Sequence, residues 1–171
     1  MLWDSIPDSG SEGGRVSLTQ FGEQLELRSE VEIARTPKLV WNVLVEIAEY
    51  PRWNPFIVRA HGQLAVGATL RLILSPPGGR EVKLTREVHA LDEARELVWS
   101  GGYGWGLLLR SRQRFQLMPT AEGARTRLLV AEDLKGPGVT GNNPLALNIA
   151  RGTALMNQAL KRECERRDSS Q

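Results

Sequence analysis

An α+β fold, with one antiparallel sheet covered by a long C-terminal helix, is predicted by three features of this 171-residue chain. Apolar and polar residues alternate with period two in a first segment near residue 25 and again in a series of segments between 70 and 130, which is the signature of strands with one wet face. A short helical pattern follows the first of these segments and precedes the rest. From Pro144 to about Arg167 apolar residues recur at steps of three and four, as in an amphipathic helix. A single antiparallel sheet needs its apolar face covered, and the long helix is the obvious cover.

The elements follow in order. Leu25, Leu27, Val31 and Ile33 alternate with Glu26, Arg28, Glu30 and Glu32 as one strand. Thr36-Pro37 reads as an N-cap and first helical position, and Val40, Val43, Leu44 and Ile47 continue a helix over 37–48. Tyr50-Pro51-Arg52-Trp53-Asn54-Pro55-Phe56 is not one regular helix, because Pro55 lacks a donor and pushes Asn54 out of the helical region. The expectation is a tight second helical turn and then an extended exit. Leu70, Leu72 and Leu74 form a strand that ends at the Pro76-Pro77-Gly78-Gly79 turn. Val82, Leu84, Val88 and Ala90 form the next, and Leu97 and Trp99 a short one ending in Gly101-Gly102. Gln113, Phe115 and Leu117 share a face opposite Arg110, Arg112 and Arg114. After the Ala121-Glu122-Gly123 turn, Thr126, Leu128 and Val130 oppose Arg125 and Arg127. In the last helix Leu145, Ile149, Gly152, Met156, Leu160 and Cys164 mark the apolar face. Lys161, Arg162, Arg166 and Arg167 lie near its C-terminus, where they complement the helix dipole.

Composition sets outer limits. The chain has the length of one domain, with 41% hydrophobic and 25% charged residues. These are globular values, which exclude a disordered, collagen-like or disulfide-framework protein. The net charge of +2 exerts little pull on nucleic acid or anionic lipid. Cys164 is the lone cysteine, so no intrachain disulfide forms and a reducing, cytoplasmic location is expected. Met1–Gly14 has neither a basic start nor an apolar run and does not read as a signal peptide. No apolar stretch approaches the ~18 residues of a membrane span, so no integral membrane association is expected. Residues 1–20 are expected to be a flexible segment and 21–168 a single domain, with Ser169–Gln171 mobile as well.

The element order, together with particular residues, resembles the START-related helix-grip superfamily, and within it the SRPBCC or polyketide cyclase/dehydrase-like group. The marks are Val40-Trp41, Pro51-Arg52-Trp53-Asn54-Pro55-Phe56, Leu97-Val98-Trp99, Gln113-Arg114-Phe115, and Thr126-Arg127-Leu128 running to Glu132-Asp133-Leu134-Lys135-Gly136. They span roughly residues 24–167. The resemblance implies a seven-stranded curved sheet wrapped around the C-terminal helix, with two short helices after the first strand. It also implies an internal cavity used for hydrophobic ligands. Many members bind lipids or other apolar molecules, and a few catalyse aromatisation or cyclisation; the fold alone does not choose between them. Related members often carry His where Gln113 stands. Gln is no general base near neutral pH, so chemistry that depends on a histidine there is not expected.

Three polar residues fall on faces that are otherwise apolar. Arg86 is in phase with Val82, Leu84 and Val88; Gln113 with Phe115 and Leu117; Glu132 with Thr126, Leu128 and Val130. If they point inward, they place a cation, an amide and a carboxylate in an apolar interior. There Arg86 and Glu132 would form an ion pair and orient the polar head of an apolar ligand. If a bulge or fraying turns them to solvent, they do neither. Trp41 and Phe56 read as core, and Trp53 as part of the entrance segment. Tyr103 and Trp105, set among glycines at 101, 102, 104 and 106, form either a flap near the cavity mouth or an exposed hairpin tip.

Other chemistries lack their patterns. The glycine cluster fails the G-x-G-x-x-G spacing, and no phosphate-binding loop or G-x-S-x-G elbow exists. His61 and His89 are far apart, with one cysteine and no paired-ligand motif, so no metal site is expected. His61 is expected in a turn and His89 on the outer face of its strand. Arg110, Arg112, Arg114, Arg125 and Arg127 form a basic stripe. It either meets an anionic partner or pairs across strands with Glu26, Glu30 and Glu32. Interleaved aromatics of the kind an RNA platform uses are missing.

The expected function is therefore binding of a small hydrophobic ligand, lipid-like or aromatic, without a cofactor. Its site residues are Trp53, Phe56, Arg86, Trp99, Gln113, Phe115, Glu132, Ile149, Gly152 and Met156. Gly152 leaves space on the long helix, and Met156 adapts to irregular shapes. The alternatives are a cyclase/aromatase-type enzyme, for which Glu132 is the one catalytic candidate, and a protein or RNA interaction module without ligand. No nucleic-acid partner is expected, and the chain is a monomer or dimer.

Overall fold

A computed structural model describes residues 15–103 and 109–167. The strands are β1 (Arg15–Phe21), β2 (Gln24–Ile33), β3 (Ile57–His61), β4 (Thr69–Leu74), β5 (Val82–Asp92), β6 (Glu96–Tyr103), β7 (Leu109–Thr120) and β8 (Arg125–Lys135). Between β2 and β3 lie helix α1 (Pro37–Val45), a single 3-10 turn and helix α2 (Tyr50–Trp53); helix α3 (Pro144–Arg166) closes the chain. The eight strands form one sheet in the order β1-β2-β8-β7-β6-β5-β4-β3, with every neighbouring pair antiparallel.

The sheet has one strand more than expected. Residues 15–20, assigned from the sequence to a flexible segment, form most of β1. This strand pairs with β2 from Arg15 opposite Glu30 to Phe21 opposite Gln24. The pattern was thin because β1 is an edge strand: Val16 and Leu18 are only half-buried, and their neighbours Ser17, Thr19 and Gln20 are polar. Gly22, at φ 58°, makes the tight turn into β2. Residues 1–14 and 168–171 lie outside the described residues, and so does most of the expected mobility of the ends.

Local chemistry starts both longer helices where the sequence indicated. Thr36 Oγ1 accepts from the Leu39 N–H at 3.4 Å, with Pro37 next in line. Asn143 Oδ1 accepts from the Leu145 and Ala146 N–H groups at 2.9 and 3.4 Å, ahead of Pro144. Each cap satisfies amides that a helix start leaves without partners. At the other end of α3, Arg35 from the β2–α1 link donates to the Glu165 carbonyl at 2.5 Å and to the Arg167 carbonyl at 3.3 Å. Glu163 accepts from both Arg166 and Arg167, and Arg167 also reaches Glu46 at 2.8 Å. Partial burial works to raise the Glu163 carboxyl, but the hydrogen bonds and charges of the two arginines outweigh it and hold the group below its ordinary range.

The core lies between the inner sheet face and α3. Leu25, Leu27, Ile33, Leu70, Leu72, Leu97, Phe115, Leu128 and Val130 meet Ile149, Met156 and Leu160 there. On the outer face Arg125 pairs with Glu32 at 3.0 Å and Arg127 with Glu30 at 3.2 Å, across the β2–β8 junction. Arg114 pairs with Glu96 at 3.3 Å, whereas Glu26 takes its own neighbour Arg28. Much of the basic stripe is thus engaged within the sheet.

Cys164 is wholly buried, and burial pushes its thiol up to about 12. At pH 8 the native protein is expected to resist iodoacetamide, because the thiolate is the reactive form. In urea, Cys164 labels at the rate of a free cysteine. Labelling of the native chain at that same rate would place the thiol in solvent.

Candidate functional site

Strand parity brings a charged cluster to the inner face. Glu132 on β8 lies opposite Gln113 on β7, which lies opposite Trp99 on β6. One step along, Ser111 is opposite Gly101; Tyr103 ends β6 on the same face, and Arg86 arrives from β5. All six side chains in this set are buried, Glu132 fully and Arg86 to within 2%.

The carboxylate is the hub. Glu132 Oε1 accepts from the Tyr103 hydroxyl at 2.8 Å, from Arg86 Nη2 at 3.4 Å and from the Ser111 hydroxyl. Glu132 Oε2 accepts from Gln113 Nε2 at 3.3 Å. Gln113 is held in that orientation because its Oε1 accepts from the Trp99 indole N–H at 2.7 Å, a donor with no other role. Trp99 in turn meets Phe115 edge-on, with ring centroids 5.2 Å apart. The Arg86 guanidinium lies over the Tyr103 ring, 4.7 Å from its centroid, a cation–π arrangement. Burial, and then the Glu132 charge, raise the Tyr103 hydroxyl far above its ordinary range, so it stays protonated and donates.

A glycine makes room for the guanidinium. Gly101 has no side chain, and a Cβ there would overlap the Thr85 carbonyl oxygen and lie 3.1 Å from Arg86 Nη1. Glycine is therefore needed for β6 to approach β5 while Arg86 lies alongside. Arg86 Nη1 itself finds no hydrogen-bond partner among the described residues.

Of the expected site residues, Arg86, Trp99, Gln113 and Glu132 come together in this cluster, with Phe115 packed against it. The open choice between inward and solvent-facing orientations for Arg86, Gln113 and Glu132 resolves inward. The β5 bulge comes later, between Val88 and Ala90, and leaves Arg86 in phase. Trp53, Phe56, Ile149, Gly152 and Met156 lie on the other parts of the grip. Trp53 stacks edge-on against Tyr50 at 5.1 Å. Phe56 is aimed inward by Asn54, whose Oδ1 accepts from the Phe56 and Ile57 N–H groups at 3.0 and 2.9 Å. The space expected beside Gly152 is filled by the Phe56 ring: a Cβ on Gly152 would fall 2.7 Å from its Cγ and closer still to two other ring atoms. Ile149 and Met156 are buried on α3.

Tyr103 needs correction. It is neither flap nor hairpin tip but the last residue of β6, buried and bonded to Glu132, because the strand continues through Gly101 and Gly102 instead of ending there. Trp105, the other half of that expectation, lies outside the described residues. Ser111 was missed altogether, although its parity with Gln113 and Phe115 carried the signal. So was a second polar pair inside the grip, in which Asn157 Nδ2 on α3 donates to Ser29 Oγ on β2 at 2.9 Å. His61 is exposed at the end of β3, and His89 sits at the β5 bulge, 2.5 Å from Ser100 Oγ. Among the described residues no three His, Cys, Asp or Glu side chains converge as metal ligands would. No helix of the described residues is long and apolar enough to cross a membrane.

An open antiparallel sheet closed by a long C-terminal helix, with short helices between its second and third strands, is the architecture of the helix-grip, START/SRPBCC class. A family profile described as polyketide cyclase / dehydrase and lipid transport matches residues 24–166, and the chain belongs to that family. Solved structures carry the same fold. The Zhui aromatase/cyclase from Streptomyces sp. R1128 superposes with a TM-score of 0.69 at 19% identity, over 84% of this chain and 95% of that one. A START superfamily protein from Mycobacterium smegmatis gives 0.66 at 20% identity, over 82% and 97%. A protein from Rhizobium leguminosarum gives 0.66 at 13% identity, over 85% and 97%. No match to the chain is found among curated proteins.

Proposed function

We propose that this protein binds a small apolar molecule between the inner sheet face and α3, with the Arg86–Glu132 cluster as its polar anchor. The observation that carries the reading is the cluster itself: a cation and a carboxylate, buried to within 2% and fully, with Tyr103, Ser111 and Gln113 around them, on a face whose other buried side chains are mostly apolar. A buried ion pair contributes little to stability over well-packed apolar residues of the same volume. Convergent polar groups on an apolar wall are, in contrast, the usual construction of a ligand site. The family to which the chain belongs supports the same reading.

The enzyme alternative would use Glu132 as general base. All four contacts of its oxygens are with donors, from Arg86, Tyr103, Ser111 and Gln113. A carboxylate so engaged is a fixed acceptor and must lose partners before it takes a proton from substrate. This favours binding over catalysis. Native mass spectrometry of the purified protein, followed by organic extraction, tests the proposal. A discrete co-purifying apolar molecule is expected. Clean apo protein, with no thermal shift across a panel of lipids and aromatic polyketides, would leave an interaction module without ligand as the better account.

A further inference from the structure

Resting on that binding reading, we infer that the ligand is electrically neutral and carries a hydrogen-bond acceptor such as a ketone, ester or amide oxygen, to which Arg86 Nη1 donates. Three observations combine. First, Arg86 uses Nη2 for Glu132 and its ring-facing side for Tyr103, while Nη1, equally buried, has no partner among the described residues. A buried N–H left unmet is costly, so an acceptor brought by the guest gains more here than in water. Second, no side chain of residue 101 crowds Nη1, since a Cβ at Gly101 would stand 3.1 Å from it. Third, the cluster is already neutral as a pair, Arg86 against Glu132 at 3.4 Å. A carboxylate or phosphate guest would put a second negative charge beside the fully buried Glu132, and like charges in a desolvated site repel strongly. A pure hydrocarbon would leave Nη1 unmet. A neutral acceptor avoids both penalties.

The test uses the full chain and two matched probe sets, read by tryptophan fluorescence and calorimetry. One set is 2-acetylnaphthalene, 2-ethylnaphthalene and 2-naphthoate; the other is 2-tridecanone, tridecane and dodecanoate. In at least one set the ketone is expected to bind about tenfold more tightly than its hydrocarbon isostere, as one hydrogen bond to a charged donor allows, and more tightly than the carboxylate. Arg86→Met alone leaves Glu132 unpaired and endangers folding, so the variant of choice is Arg86→Met with Glu132→Gln, in which the ketone-to-hydrocarbon ratio falls to about one. Equal affinities for ketone and hydrocarbon, a tighter carboxylate, or a ratio unchanged in the double variant would overturn the inference and leave interior binding standing. If no probe binds, the co-purifying molecule decides. A neutral carbonyl compound supports the inference, an anionic or acceptor-free one overturns it, and the absence of any such molecule overturns the binding proposal as well.

Discussion

Replacing Glu132 with Leu is expected to lower the stability of the fold by about 3–5 kcal/mol, the range found when one partner of a buried ion pair is removed. In a domain of this size that corresponds to a fall in Tm of roughly 10 °C. The loss has two sources. Arg86, 2% exposed, is left with a buried charge and no counter-charge. Tyr103 and Ser111 lose the carboxylate oxygen that their hydroxyls share, and Gln113 loses the other. Glu132→Gln separates the two contributions, because it keeps an acceptor oxygen for the hydroxyls and removes only the charge; a smaller loss is expected. The double variant Arg86→Met with Glu132→Leu discards the whole pair and should recover most of what Glu132→Leu loses. Urea unfolding of the four proteins gives the comparison. If Glu132→Leu proves as stable as the parent, the inward ion pair is not a feature of the folded chain. If the double variant is no more stable than Glu132→Leu, the cost lies in the hydroxyl donors and not in the stranded arginine.

The parts of this site that were legible in the sequence are those set by period-two parity. Arg86, Gln113 and Glu132 each stood in phase with apolar neighbours, and a strand that buries one face must bury what lies in phase with it. What parity does not supply is the register between strands. Gln113 opposite Glu132, and Trp99 opposite Gln113, join residues far apart in the chain. Tyr103 was lost for a different reason. Gly101 and Gly102 carry the poorest strand propensity, and the local reading ended β6 at this pair, short of Tyr103. The structure keeps the strand because the glycine at 101 is what lets β5 come close, a tertiary requirement invisible to propensity. Ser111 escaped because a small hydroxyl leaves no mark in a hydrophobic pattern. Helix starts were legible to the residue, since Thr36-Pro37 and Pro144 act through bonds within one turn. The edge strand β1 was not, since a strand paired on one side buries too little to show a pattern.

Gly152 tests how firmly α3 closes on the segment that carries Phe56. In helix interiors Gly→Ala ordinarily stabilises, by up to about 1 kcal/mol. Here the expected sign is reversed. The added methyl would overlap the Phe56 ring, and Phe56 cannot retreat freely, because Asn54 holds the backbone amides of Phe56 and Ile57. Overpacking of this kind costs about 1–3 kcal/mol, which outweighs the helical gain. Phe56→Leu alone is expected to cost about 1 kcal/mol for lost apolar contact. Combined with Gly152→Ala, it should restore much of the loss, because the shorter side chain clears the new methyl. The coupling between the two positions, measured by urea unfolding in a double-mutant cycle, is thus expected to be favourable by about 1 kcal/mol or more. Additive effects, or a Gly152→Ala variant more stable than the parent, would mean that the ring does not rest on α3. Residue 152 would then face open space, as the sequence alone suggested, and that space would be available to a ligand.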